Sequence, residues 1–160
     1  MEQTFEKADF GAGCFWGVEA RFQQVPGVVE TAVGYEGGTR DNPTYQDVCT
    51  DRTGHAEVVQ VTFDPQRVSY RALLDLFFEL HDPTQVNRQG PDWGTQYRTV
   101  VFYHSEQQEA AARETIARLN ASGHYRLPIA TQVVPAATFW RAEEYHQKYL
   151  EKRGAVSCHI

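Results

Sequence analysis

The chain of 160 residues, 41% of them hydrophobic, is long enough to bury one core without disulfide staples, so a single domain spanning 1–160 is expected. Its formal charge of −6, with no basic block or stripe, excludes a surface built to track the phosphate backbone of nucleic acid. No run of about 18 apolar residues occurs, and the first residues, Met1-Glu2-Gln3-Thr4-Phe5-Glu6-Lys7, lack an apolar signal core, so no membrane association and a cytoplasmic address are expected.

In chain order, Phe5, Ala8 and Phe10 mark a short strand leading into the flexible turn Gly11-Ala12-Gly13. Phe15, Val18, Phe22 and Val25 recur at helical spacing until Pro26-Gly27 stops the helix, and Val29, Thr31, Val33 and Tyr35 then alternate as a strand does. Residues 36–54, rich in Gly, Asp, Asn, Thr and Pro, read as a long loop, and a loop of that length in a compact domain usually serves function. Residues 55–63 alternate again, Asp64-Pro65 closes the strand, and Tyr70, Leu73, Leu74, Phe77 and Leu80 line one face of a helix. An irregular segment follows over 82–96, then a strand over 97–103. Ser105 and Gln108 form a capping box for a helix that stops at Gly123. A short strand over 129–134 and a last helix bearing Phe139, Ala142, His146 and Tyr149 on one face complete the pattern, with 153–160 left as a mobile tail. The first six elements match a split βαβ (ferredoxin-like) core. The expected fold is therefore an α/β (α+β) two-layer sandwich with a mixed sheet, helices on one face and long functional loops.

The chemistry concentrates in few residues. Cys14, Cys49 and Cys158 form neither a CxxC pair nor a zinc-like cluster, and the six histidines include no HExxH pair, so no metal is expected. Cys14, inside Gly13-Cys14-Phe15-Trp16-Gly17, falls in the first turn of a helix, where orphan N–H groups and the helix dipole favour a thiolate and a more nucleophilic sulfur. Phe15 and Trp16 beside it offer an apolar wall. Period-two alternation places Glu57 on the face of Val59, Val61 and Phe63, where desolvation would keep a carboxyl protonated as a general acid needs. The alternative is a solvated or arginine-paired carboxylate at the sheet rim. Tyr45 and Tyr97 lie in or beside the irregular segments and offer phenolic O–H donors, or serve as partial core residues. Asp92 alone reads as a turn residue, and His146 as an amphipathic contact. Cys158 is either a mobile resolving thiol able to reach an oxidised partner or a stray thiol in a frayed tail, while Cys49 reads as a half-buried small hydrophobe.

Four blocks, taken together, resemble the A-type peptide methionine sulfoxide reductase family over nearly the whole chain. They are Gly13-Cys14-Phe15-Trp16-Gly17; Asn42-Pro43-Thr44-Tyr45 with Val48-Cys49; Gly54-His55-Ala56-Glu57; and Arg88-Gln89-Gly90 continuing through Asp92-Trp93-Gly94-Thr95-Gln96-Tyr97-Arg98. Glu144-Tyr145-His146-Gln147-Lys148-Tyr149-Leu150 resembles the family's late helix. The resemblance implies reduction of the S-epimer of methionine sulfoxide, free or in oxidised proteins, as oxidative-damage repair by a monomer. It implies Cys14 as nucleophile and Glu57 as acid, with Tyr45 and Tyr97 on the sulfoxide oxygen. Phe15 and Trp16 would hold the methyl group, and Asp92 and His146 the methionine's main-chain groups. It further implies a Cys14 sulfenic acid, a Cys14–Cys158 disulfide and recycling by thioredoxin or another external dithiol, with no bound cofactor. Two positions depart from the family pattern: Ser157, where an aromatic residue often precedes the resolving cysteine, and Pro91, where a polar residue is usual.

Two rival readings make different predictions. A thiol hydrolase using His55 or His146 as base would form an acyl-enzyme and lose no thiols on turnover. A redox sensor switched by a Cys14–Cys158 disulfide would be oxidised by peroxide and yield no methionine.

Overall fold

The structure, a computed structural model, describes residues 4–152; the 153–160 segment, with Cys158, lies outside the described residues. In chain order it runs β1 (Glu6–Ala12), α1 (Phe15–Gln23), β2 (Val28–Glu36), α2 (Tyr45–Cys49), β3 (Ala56–Phe63) and α3 (Tyr70–Glu79). A small hairpin of β4 (Arg88–Gln89) and β5 (Asp92–Trp93) follows, then β6 (Thr99–Tyr103), α4 (Glu106–Ala121), β7 (Gln132–Pro135), β8 (Trp140–Arg141) and α5 (Tyr149–Lys152). Single 3-10 turns lie at Thr95–Tyr97 and Glu144–His146.

The main sheet has the order β7-β6-β1-β3-β2-β8, antiparallel throughout except for the parallel β6–β7 pair. Its inner four strands, β6-β1-β3-β2, are the split βαβ arrangement expected from the element order. The two βαβ crossovers carry α1 and α3 onto one face, where Phe10 of β1 stacks on Phe22 of α1 and Phe77 of α3, each with ring centroids 5.1 Å apart. Val59, Val61 and Phe63 of β3 enter the same core, and α4 packs beside α3. The other face carries a smaller cluster, Ala56, Val58, Val100 and Phe102, against which Val134, Ala136 and Phe139 pack.

Three readings of the sequence are corrected. The loop over 36–54 contains the five-residue helix α2, started by a capping box in which the Thr44 hydroxyl accepts from Asp47 N–H while the Asp47 carboxylate accepts from Thr44 N–H. The irregular segment over 82–96 contains the β4–β5 hairpin and the turn that carries Tyr97. The last helix does not form over Phe139–Tyr149: Trp140–Arg141 joins the sheet as β8, and only Tyr149–Lys152 is α-helical. Bonds to other elements replace the helical ladder there. The Gln147 side chain acts as a mock strand partner, its Oε1 accepting from Val33 N–H at 2.9 Å and its Nε2 donating to Val33 C=O at 2.9 Å. Lys148, at φ 53°, donates its N–H to buried Glu19 at 2.7 Å. Helical spacing of apolar residues is only a weak signal against such tertiary bonds.

One buried acid pair lies outside the recognised motifs. Glu36 accepts from Ala137 N–H at 2.9 Å and shares a hydrogen bond with Asp9, which also meets His104 Nε2 at 3.0 Å. Burial, then the bond to Asp9 and the Asp9 charge, push the Glu36 carboxyl up to about 9, so the folded protein keeps a proton that the unfolded chain releases. The stabilisation is complete below the ordinary glutamate range and is lost as pH rises from about 5 through about 9. Glu36→Gln, whose amide can take Ala137 N–H and donate to Asp9, should abolish that slope, up to about 1.4 kcal/mol per pH unit. Urea unfolding at pH 6, 7.5 and 9 checks this; parallel slopes for the two proteins would refute it.

Candidate active site

The end of β1 and the start of α1 create the centre of the site. Gly13 takes φ 91°, open to glycine, and a Cβ there would stand 2.8 Å from the Gln89 Cβ, so the glycine both turns the chain and admits the β4–β5 segment. Cys14 is consequently half-buried at the N-cap of the nine-residue α1, one position before the first turn in which its spacing had placed it. The adjacent N–H of Phe15 donates to Glu57 Oε1 at 3.2 Å. Glu57 is 2% exposed and stands opposite Tyr35 in the β2–β3 register, so its carboxyl is buried in the wall beside the cysteine rather than solvated at the sheet rim.

Both candidate phenols stand within reach of that carboxyl's field. Tyr45 opens α2, its hydroxyl hydrogen-bonded to Cys49, the residue four positions on, and close to the Tyr97 phenol. Burial first, then the Cys49 bond and the charge of Glu57, push the Tyr45 phenol well above the ordinary range. Burial and Glu57 do the same for Tyr97. Both therefore remain O–H donors at neutral pH. Cys49 differs from its reading as a half-buried hydrophobe: the residue is exposed, although packing around its sulfur raises the thiol while the bond from Tyr45 opposes that rise. Asp92 of β5 is half-buried, and its charge reaches Tyr97.

The aromatic wall is held by His146. Trp16 Nε1–H donates to His146 Nδ1 at 2.9 Å, and the indole stacks on Tyr149 at 3.8 Å between centroids. Phe15 lies 5.2 Å and Tyr45 4.6 Å from the same imidazole. With Nδ1 accepting, the ring proton sits on Nε2, and burial lowers the pKa so that the neutral form prevails. His146 is 1% exposed, and Nε2 meets no hydrogen-bond partner among the described residues, which leaves one donor for a ligand. His55, by contrast, is fully employed: Gly38 N–H donates to Nδ1 at 3.0 Å and Nε2–H donates to Arg40 C=O at 2.7 Å, closing the loop that carries Tyr45. Gly38 has no alternative, since a Cβ there would fall 2.3 Å from Thr53 O. His55 is thereby removed as a hydrolase base.

Sequence reasoning missed the supports. Glu143 and Tyr35 bond one another at 3.0 Å, and Glu19, Thr31 and Gln147 anchor the segment bearing His146. Period-two alternation could have placed Tyr35 beside Glu57; nothing local marks Glu143, whose partners are about 100 residues away in sequence.

A thiol at a helix N-terminus, a buried carboxyl hydrogen-bonded to the next residue's N–H, and two protonated phenols within that carboxyl's field are the groups a thiol-dependent reductase on an α/β fold requires. The peptide methionine sulfoxide reductase family model matches residues 6–160. The MsrA of Acidobacterium capsulatum is 67% identical over 154 residues, covering 96% of this chain and 99% of that protein. Among solved structures, methionine sulfoxide reductase A of Corynebacterium diphtheriae superposes with a TM-score of 0.86 at 39% identity over 99% of this chain and 79% of that one. Reduced Mxr1 of Saccharomyces cerevisiae gives 0.87 at 37% identity, covering 94% and 86%. The chain belongs to the peptide methionine sulfoxide reductase family and is an MsrA-type enzyme that reduces methionine sulfoxide. Among the described residues no helix is long and apolar enough to cross a membrane.

Proposed function

We propose that the enzyme reduces the S-epimer of methionine sulfoxide, free or in oxidised proteins, with Cys14 as nucleophile and Glu57 as acid. The observation that carries this is the hydrogen bond from Phe15 N–H to Glu57, which holds a carboxyl at the residue next to the thiol. A sulfoxide oxygen leaves only when protonated, so thiolate and acid must act together. The Cys14 thiolate attacks the sulfoxide sulfur while Glu57 protonates its oxygen, with the Tyr45 and Tyr97 hydroxyls donating to the same oxygen. The attack forms a sulfur–sulfur bond. The sulfur–oxygen bond then breaks as the protonated oxygen passes to the Cys14 sulfur, and the sulfur–sulfur bond breaks with its electron pair leaving on methionine, so that thiolate, proton and sulfoxide become a sulfenic acid and a thioether. Phe15 and Trp16 receive the methyl group. Asp92 accepts from the substrate's amino or amide N–H, and the Nε2–H of His146 donates to its carbonyl or carboxylate.

Cys158 then attacks the sulfenic acid, forming the Cys14–Cys158 disulfide and releasing water, and an external dithiol, thioredoxin, reopens it. Mxr1 of yeast has been solved in complex with Trx2, a thioredoxin, which supports that choice of reductant. The enzyme needs no bound cofactor for this cycle and acts as a cytoplasmic monomer. Fully reduced protein mixed with each epimer, without reductant, should yield about one methionine per chain from the S-epimer and lose two thiols. Absence of methionine from both epimers, with all thiols still titratable, would overturn the reading.

A further inference from the structure

Tyr45 occupies the first position of a helix only five residues long, at the end of an irregular stretch. The local cap, between Thr44 and Asp47, fixes the start of the helix but not its placement against the sheet. Val48 packs α2 into the main core, and the directional hydrogen-bonded tether comes from Glu143. One oxygen, Oε2, accepts from the backbone N–H of Tyr45 at 3.1 Å; the other, Oε1, accepts from the hydroxyl of fully buried Tyr35 at 3.0 Å. Tyr35 stands directly opposite Glu57 in the β2–β3 register. A single carboxylate thus spans from the strand beside the catalytic acid to the residue bearing the phenol, and it also starts the 3-10 turn that ends at His146.

We propose that Glu143 is a positioning residue that sets where the Tyr45 hydroxyl stands relative to Glu57. The proposal rests on the reading that Tyr45 binds the sulfoxide oxygen. Burial opposes ionisation of Glu143, but the backbone, Tyr45 and Tyr35 hydrogen bonds outweigh it and hold the group below the ordinary glutamate range, so the bridge persists at neutral pH. Without it, α2 retains its own cap and the packing of Val48 but loses the hydrogen bond that fixes Tyr45 at the start of the helix. An error of about 1 Å in a donor's position is enough to cost roughly 100-fold in rate.

The test is a double-mutant cycle read by the single-turnover rate of methionine formation from the S-epimer, with thermal unfolding of each variant alongside. Glu143→Ala should be roughly 10- to 100-fold slower than wild type. Glu143→Gln should recover to within about 3-fold, because its amide oxygen takes Tyr45 N–H while its NH2 donates to the Tyr35 oxygen. Glu143→Ala combined with Tyr45→Phe should be no slower than Tyr45→Phe alone, since a hydroxyl that is absent cannot be misplaced. Losses that multiply, a Gln variant as slow as the Ala variant, or a wild-type rate in Glu143→Ala would each overturn the proposal. A wild-type rate in Tyr45→Phe would instead remove Tyr45 from the site, and the proposal with it. Should Glu143→Ala not fold, Glu143→Asp completes the same cycle, because its shorter carboxylate cannot span both donors.

Discussion

Glu57→Gln should slow the single-turnover formation of methionine by roughly two to four orders of magnitude, the usual loss when a general acid is removed. The substitution isolates the proton because the geometry allows it: a Gln amide oxygen can still accept from Phe15 N–H, as Glu57 Oε1 does at 3.2 Å, so the start of α1 and the place of Cys14 should be preserved. The thermal midpoint should therefore change little, and Cys14 should still react with a small alkylating reagent. Glu57→Ala would confuse the matter by stranding the Phe15 N–H in a site from which water is largely excluded. Single-turnover rates with the S-epimer, paired with thermal unfolding, check the prediction. An unchanged rate would remove Glu57 from the acid's role and leave the two phenols as the proton donors.

The second large effect belongs to recycling. Cys158→Ser should still form about one methionine per chain, because the proposed reductive step does not involve Cys158, but sustained turnover with thioredoxin should collapse. Quantifying methionine over time with excess substrate separates the two phases: wild type continues linearly, and the variant stops after its burst. Continued turnover would mean that Cys49 or the reductant itself resolves the sulfenic acid. The position of Cys49 makes that outcome specific. It is exposed and bonded to the Tyr45 hydroxyl, so engaging it in a disulfide would withdraw its sulfur from that bond. Cys49→Ser combined with Cys158→Ser would then identify which thiol resolves.

Much of this was legible from local pattern. The alternation in β3 placed Glu57 with Val59, Val61 and Phe63 because strand periodicity is geometric and survives any tertiary context. The split βαβ order followed from the sequence of periods, since connections are short and the handedness of βαβ crossovers leaves few topologies. The run from Gly13 to Gly17 located Cys14 to within one residue of its place at the N-cap of α1. The C-terminal third fared worse. Phe139, Ala142, His146 and Tyr149 have helical spacing, yet Gln147 and Lys148 bond to β2 and α1, and a bond to a neighbouring element competes directly with one to the residue four positions back.

Composition and spacing by themselves pointed to a single α/β domain with a cysteine at a helix start and a carboxyl on the apolar side of a strand, because those features depend on neighbours within a few residues. Tertiary structure alone decided that Phe15 N–H meets Glu57, that Trp16 fixes the tautomer of His146, and that Glu143 bridges Tyr35 to Tyr45. Those bonds join residues 42 to 130 positions apart, and only the folded sheet brings them within reach.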